Sequence, residues 1–379
     1  MYIPKPPKGT KLFVYDANSL YPFSMEKFEM PIGNPMFFQG NIKTIDTNAF
    51  GFFYCNIIAP DNIKHPIIQT HVMTNSGIRT IAPIGTWSDM LFSPEMDNAM
   101  KLGYKFEILW GYKFDKGFIF EEYVQTLYNF RLKYPKSDPM NYLAKILLNS
   151  LYGRFGMDDN FSEVNIIHKD YIADFENKFF DFIITKTKID DYFLVEVKSS
   201  EIINEEKDET HNINVSVASA ITAYSRIHMT YFKNNPNFKL YYSDTDSAYI
   251  DKPLPDSMIS NTILGKMKLE NICKKAIFLS PKVYCLETIE REVIYKVKGL
   301  KHEVELTMKD FEQLLYKDAF LEKSQNKWSR SLSEAQINII NQVYTLKVTD
   351  NKRVLIYNKK GKLIGTKSYK IEHSKDIRK

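Results

Sequence analysis

Cysteine is scarce in this chain of 379 residues: only Cys55, Cys273 and Cys285 occur, with no CxxC pair, and the seven histidines are scattered. A disulfide framework and a structural zinc site are thereby excluded. Nor is there an uninterrupted apolar run long enough to span a bilayer, so no membrane partner is expected. The first eleven residues carry Lys5, Lys8 and Lys11, but four prolines and glycines among them break any amphipathic presequence. Internal repeats and low-complexity segments are missing too, which excludes solenoids and flexible linkers.

What is present fits a folded protein of two or three subdomains, with 44% hydrophobic and 14% aromatic residues. The net charge is only +5, but it is unevenly placed. Residues 351–379 hold ten Lys and Arg against two acids, whereas residues 171–210 hold eleven acids against five bases. A basic tail of that kind can follow a phosphate backbone or simply be solvated. The abundance of Tyr, Phe, Ile, Asn and Lys fits an AT-rich genome, such as that of an organelle, a plasmid or a virus.

Three segments carry the chemistry. Lys11–Asp16 reads as a buried strand that ends at a carboxylate. Leu240–Ile250 reads as a hairpin with Asp244 and Asp246 at its tip. If these strands are neighbours in one sheet, the three carboxylates converge on one edge. A DTD turn by itself is an ordinary Asx-rich turn; flanked by apolar strands, its acids form an oxygen cluster suited to Mg²⁺. Two such ions about 3.5–4 Å apart serve phosphoryl and nucleotidyl transfer.

The third segment is helical. Phe118–Tyr134 and Pro139–Tyr152 show helical spacing and are joined by a short link, with Asp138 as N-cap, Pro139 at the first turn and Gly153 closing the run. On the second helix Lys145, Asn149 and Tyr152 fall at i, i+4 and i+7 on one face, with Leu143, Ile146 and Leu147 on the other. A cation, an amide and a ring in a row suit a triphosphate, a sugar edge and a base, or else a solvated face. Arg131 or Lys133 on the preceding helix is a second candidate clamp for the phosphates. Tyr21, shortly after Asp16, is placed to pack beneath a sugar and exclude a 2′-hydroxyl, although a core tyrosine fits the spacing equally well. Lys282 and Tyr284, then Lys296, Lys298 and Lys301, alternate along strands whose face can grip backbone phosphates or simply be solvated. Further along, helical segments are expected near 306–322 and 332–342, followed by a hairpin turning at Asn358–Gly361.

These residues resemble the family B DNA polymerases, most closely the protein-primed branch of linear mitochondrial plasmids, phages and adenoviruses. DANSLYP (Asp16–Pro22) is similar to motif A, KILLNSLYG (Lys145–Gly153) to motif B, YSDTDS (Tyr242–Ser247) to motif C, and PKVY (Pro281–Tyr284) to the Lys-x-Tyr motif of the primer strand. The resemblance runs from Lys11 to about Ile371. It implies an α+β fold: a right-hand palm of antiparallel sheet with helices, helical-hairpin fingers and a small thumb. The implied division is a first palm segment at 1–30, a terminal-protein and template insertion at 31–117, fingers at 118–157, a second insertion at 158–212, the remaining palm segment at 213–303, and a thumb with C-terminal hairpin at 304–379.

The resemblance also implies roles. Asp16 and Asp246 become the main metal ligands with Asp244 beside them, Lys145, Asn149 and Tyr152 hold the nucleotide, and Tyr21 is the sugar gate. The cofactor is two Mg²⁺ ions, with Mn²⁺ as a substitute; the partners are primer-template DNA, dNTPs and a terminal priming protein. A mitochondrial location is expected, with a virus or a cytoplasmic linear plasmid as the alternative. The pattern departs in one respect: only fifteen residues precede Asp16, so the N-terminal exonuclease domain of the family, and with it proofreading, is expected to be absent. Two readings follow, a template-directed DNA polymerase and a truncated, catalytically inactive nucleic-acid-binding remnant. A reverse transcriptase shares the two-carboxylate logic, but its YxDD tip does not match YSDTDS.

Overall fold

The computed structural model describes residues 3–74, 77–157, 162–198, 213–301, 303–331, 336–350 and 352–371. The acids at 199–212 and the end of the basic tail, 372–379, lie outside the described residues. The chain divides into two units: Met1–Ser150 with Ser216–Lys323 and Thr345–Lys379, and Leu151–Val215 with Ser324–Tyr344. Among the described residues no helix is long and apolar enough to cross a membrane.

The larger unit is built around an antiparallel six-stranded sheet. Its order is β11 (Leu240–Tyr242), β12 (Ser247–Ile250), β1 (Leu12–Ala17), β13 (Met267–Ser280), β14 (Val283–Thr288) and β15 (Val293–Val297). Strand alternation sorts the residues of β1 onto two faces. Tyr15 and Ala17 pack with Met229 and Phe232 of the helix Val215–Asn234, which covers that face. Leu12 and Val14 join Tyr242, Tyr249, Phe278 and Tyr284 on the other. Asp16, two residues beyond Val14, shares this second face.

Between β1 and the remaining strands of that sheet, the sequence inserts a five-stranded sheet of β2 (Met30–Gln39), β7 (Lys105–Gly117), β3 (Gly51–Ala59), β6 (Ile84–Phe92) and, from the far end of the chain, β20 (Lys370–Ile371). Phe53, Cys55 and Ile57 alternate into its core against Trp87, and α2 (Ser93–Met100) covers them with Met96 and Ala99. A small hairpin of β4 (Thr70–Thr74) and β5 (Gly77–Ile81) extends from it.

Helix α1 (Leu20–Lys27) packs against α3 (Glu121–Lys133), which turns back into α4 (Pro139–Phe155). The Asp138 carboxylate caps α4, accepting from the Met140 amide at 2.8 Å. The Asn141 side chain donates to the carbonyls of Arg131 and Tyr134, both at 2.9 Å, and so fixes the turn. This pulls the stripe Asn141–Ala144–Leu148 inward, and Leu143, Ile146 and Leu147 stay exposed, contrary to the two-faced pattern expected from sequence. Gly153 lies inside α4, which runs on to Phe155.

The smaller unit contains an antiparallel sheet of β8 (Ser162–His168), β10 (Tyr192–Lys198) and β9 (Ile183–Ile189), with Val195 and Val197 buried, and α5 (Ile172–Phe179). The helix Val215–Asn234 is α6, and α7 is the short Met308–Gln313, closed by a capping box between Thr307 and Asp310. The helix expected near 306–322 is therefore one short segment. Of the helix expected near 332–342, residues 332–335 lie outside the described residues, and the rest, 336–342, is strand instead. A hairpin of β16 (Phe320–Ser331) and β17 (Gln336–Lys347) stands there, because β-branched Ile337, Ile339, Ile340, Val343 and Thr345 favour the extended chain. The last hairpin, β18 (Val354–Tyr357) and β19 (Leu363–Lys367), turns where the sequence placed it.

Candidate functional site

Asp16 stands opposite Ser247 in the β1–β12 register. The Ala17 amide donates to the Asp246 carbonyl at 2.8 Å, lacing the hairpin tip to the end of β1. The tip itself is a tight turn: Thr245 has a left-handed backbone (φ 53°), and Ser247 closes the loop on the Asp244 carbonyl. Sequence neighbours β11 and β12 and the distant β1 thus bring Asp16, Asp244 and Asp246 to one edge.

A cleft of about 640 Å³ opens there. Its floor holds these three aspartates and Glu270, and Lys282, Lys296, Lys298 and Lys301 line it as well. Burial first, then the carboxylates of Asp246 and Glu270, pushes Asp16 up to about 7, with Lys296 and Lys268 opposing. Asp246 is raised as well, chiefly by burial, with Asp244 contributing. Half-buried acids that repel one another and favour protons form a site that gains from a bound cation.

Asp244 is held differently. The Lys282 ammonium lies 3.0 Å from it, and the hydroxyls of Tyr242 and Thr245 lie 3.5 and 3.3 Å away. Tyr284 is buried, its hydroxyl 3.0 Å from that of Tyr249, under a cluster in which Tyr242 stacks on Phe278. Of the pair Lys282 and Tyr284, therefore, only Lys282 presents a charge, and Tyr284 belongs to the floor. Lys296 is exposed, in register with Tyr284.

A second cleft, about 530 Å³, opens on the other side of the tip. Tyr21, Asp244 and Thr245 line it together with Arg226, Lys233, Lys352 and Arg353. Tyr21 is half-buried, on α1, whose N-cap Ser19 has a left-handed backbone (φ 46°). Arg131 is committed: its guanidinium donates to the Ser19 hydroxyl at 3.0 Å. Lys133 is exposed and makes no ion pair among the described residues. Lys145 and Asn149 are exposed on α4, and Tyr152 is half-buried on the stretch of that helix that belongs to the smaller unit. None of these three lines either cleft.

Sequence reading missed Glu270, Arg226, Lys233 and the pair Lys352–Arg353. Signals existed for two of them. Glu270 alternates with Lys268 on a strand, and Arg226 is the sole charged residue in the otherwise uncharged run Val215–Phe232.

The fold resembles that of phi29 DNA polymerase, which, in a ternary complex with primer-template DNA and incoming nucleotide, superposes with a TM-score of 0.65 at 18% identity, covering 91% of this chain and 59% of that one. Its orthorhombic crystal form gives 0.64 at 19% identity. The chain belongs to the type B DNA polymerases of organelles and viruses, whose family model matches residues 3–237. A probable DNA polymerase of Ascobolus immersus is 36% identical over 98% of this chain and 30% of its own length. That of Neurospora intermedia is 37% identical over 88% of this chain and 35% of its own. A DNA polymerase of Streptococcus phage Cp-1 is 26% identical over 74% of this chain and 46% of its own. The chain thus spans about a third of the length of the fungal relatives.

Proposed function

We propose that this chain carries the nucleotidyl-transfer centre of a DNA-directed DNA polymerase, adding dNTPs to a primer 3′-hydroxyl or to a hydroxyl of a terminal priming protein. The observation that carries this reading is the juxtaposition of Asp16 and Asp246 at the end of β1, in a cleft that four lysines also line. In the right-hand description the six-stranded sheet is the palm, α3 and α4 the fingers, and the β16–β17 hairpin belongs to the thumb.

Among the described residues no three His, Cys, Asp or Glu side chains gather closely enough to hold an ion alone. The half-buried oxygen donors Asp16 and Asp246, with Asp244 adjacent, nevertheless fit Mg²⁺, or Mn²⁺ in its place, when water and substrate phosphate complete the set. Two ions bound there would activate the attacking hydroxyl and neutralise the leaving pyrophosphate. The protein's own share is positioning and charge. Lys282, Lys296, Lys298 and Lys301 offer a basic wall to the primer strand, and Arg226, Lys233, Lys352 and Arg353 a second to the template strand. Resemblance to the family assigns the triphosphate to Lys133 and Lys145, the sugar and base to Asn149 and Tyr152, and the space beneath the sugar to Tyr21. Family membership favours replication of an organellar or linear-plasmid DNA in the mitochondrion as the setting.

The test is dNTP incorporation on primed DNA with Mg²⁺, for the wild type and Asp246→Asn. Incorporation that the substitution abolishes supports the polymerase. A folded wild type that binds primed DNA and incorporates nothing would make the chain a binding remnant.

A further inference from the structure

Outside the carboxylate site, the most completely engaged charged pair is Glu95 with Arg226. Glu95 lies in the first turn of α2, on the inserted five-stranded body, and is 4% exposed. Arg226 lies on α6, the helix that backs the carboxylate sheet. The guanidinium meets the carboxylate side-on, with Nε donating to Oε1 at 2.6 Å and Nη2 to Oε2 at 2.8 Å. A second tie between the same helices, Asn98 Nδ2 to Thr230 Oγ1 at 3.2 Å, fixes their approach. Nη1 makes no hydrogen bond among the described residues, and Arg226 lines the second cleft beside Lys233 and Tyr21, which also interacts with it electrostatically.

We infer that Glu95 is a positioning residue: it holds Arg226 oriented, so that the remaining guanidinium edge takes a phosphate of the nucleic-acid strand in the second cleft. This rests on the polymerase reading above. An ion pair whose carboxylate is buried is a poor device for mere adhesion, since apolar residues of the same volume hold two elements together as well or better. What the pair adds is a planar cation that stays charged at the wall of a cleft, with a fixed fork. Burial opposes that charge, and the Glu95 carboxylate outweighs it, keeping Arg226 above its ordinary value. Because the carboxylate comes from the insertion, the inserted body and the catalytic sheet together complete the contact.

The inference makes a prediction of sign. Coulomb attraction alone says that removing the Glu95 charge makes the cleft more positive, so DNA binds more tightly and with a steeper salt dependence. Positioning says the reverse. Fluorescence anisotropy with primed duplex DNA carrying a single-stranded template overhang, across a range of salt, separates the two. Glu95→Gln is expected to bind about tenfold more weakly, with the log–log salt slope shallower by about 0.9, the share of one lost phosphate contact. Glu95→Asp, which keeps the carboxylate on a shorter stem, is expected to fall between it and the wild type, and it serves as the readout if the Gln variant does not fold. In an Arg226→Ala background Glu95→Gln is expected to cause no further loss. Tighter binding, a steeper slope, or an equal loss in both backgrounds overturns the role of Glu95 and leaves the polymerase reading intact. A wild type with no salt-dependent DNA binding overturns both.

Discussion

The Lys282 ammonium lies 3.0 Å from the Asp244 carboxylate, and Tyr242 touches both residues, its hydroxyl accepting from the Lys282 amide at 2.9 Å. Lys282 has a left-handed backbone (φ 63°), at the start of the turn into β14. The backbone thus sets where the Lys282 side chain leaves the turn, and its ammonium reaches Asp244 from there. The pair is partly exposed, so its removal costs little stability, at most about 1 kcal/mol. Lys282→Ala should lower single-nucleotide incorporation about a hundredfold, as the loss of one preorganised charge does elsewhere, with a nearly unchanged melting temperature. Equal effects on both would assign Lys282 to the framework.

Asp16 links the site to stability. Its folded value of about 7 stands above the ordinary 3.8. Between those values the metal-free folded chain binds more protons than the unfolded one. The favourable contribution is full below about pH 4 and is lost as the pH rises through 7. Asp16→Asn cannot ionise and so avoids that loss. In chelator, the variant should melt higher than wild type at pH 8, and the two should converge at pH 4. Incorporation should be abolished at either pH. Wild-type and variant curves that run parallel from pH 4 to 8 would show that Asp16 does not titrate as its burial demands.

Two cations near the end of α3 are distinguished by their partners. Arg131 is tied to Ser19, the N-cap of the helix that carries Tyr21, whereas Lys133 is exposed. Lys133→Ala is expected to raise KM for dNTP about tenfold, the loss of one charge-assisted contact, with little effect on melting. Arg131→Ala should act through Ser19 and Tyr21, changing sugar selection as well as KM. Steady-state incorporation of dNTP and rNTP by both variants separates these roles.

Tyr21 is half-buried at the mouth of the second cleft, beside Arg226. In the proposed role the ring meets only the 2′-hydroxyl, so Tyr21→Val should leave dNTP incorporation within a few-fold and relax discrimination against ribonucleotides by about tenfold or more. Unchanged discrimination, measured as the ratio of kcat/KM values, would remove Tyr21 from this role.

Much of this was legible in the sequence because the period-2 and period-3.6 patterns are local. Val14 and Asp16 share a strand face by alternation, and Asp138–Pro139 marks a helix start wherever it packs. What was not legible depends on partners far away in the chain. Leu143, Ile146 and Leu147 look like a core face, yet Asn141 hydrogen-bonds the end of α3 and selects a different stripe. Glu95 and Arg226 are 131 residues apart, and neither advertises the other. The helix reading failed over 336–342, where apolar spacing was ambiguous and β-branching decided.

Gly265 controls the turn after Asp16. Its backbone is left-handed (φ 73°), and a Cβ built on it would lie 2.3 Å from the Phe23 ring. Its amide donates to the Asn18 carbonyl at 2.9 Å, and its carbonyl pairs with His228 Nε2 at 2.8 Å. The Phe23 ring is itself packed on His228, with centroids 4.7 Å apart. An added methyl must displace either that ring or the Gly265 backbone, and so loosens the turn that leads from Asp16 into α1. Gly265→Ala should therefore cost about 2 kcal/mol or more from strain and overpacking together. Phe23→Leu combined with Gly265→Ala removes the ring and leaves only the backbone strain, so it should recover some of that loss. Chemical denaturation of the two single variants and the double variant measures the coupling. Strict additivity would mean that the ring and the glycine do not meet as their geometry requires.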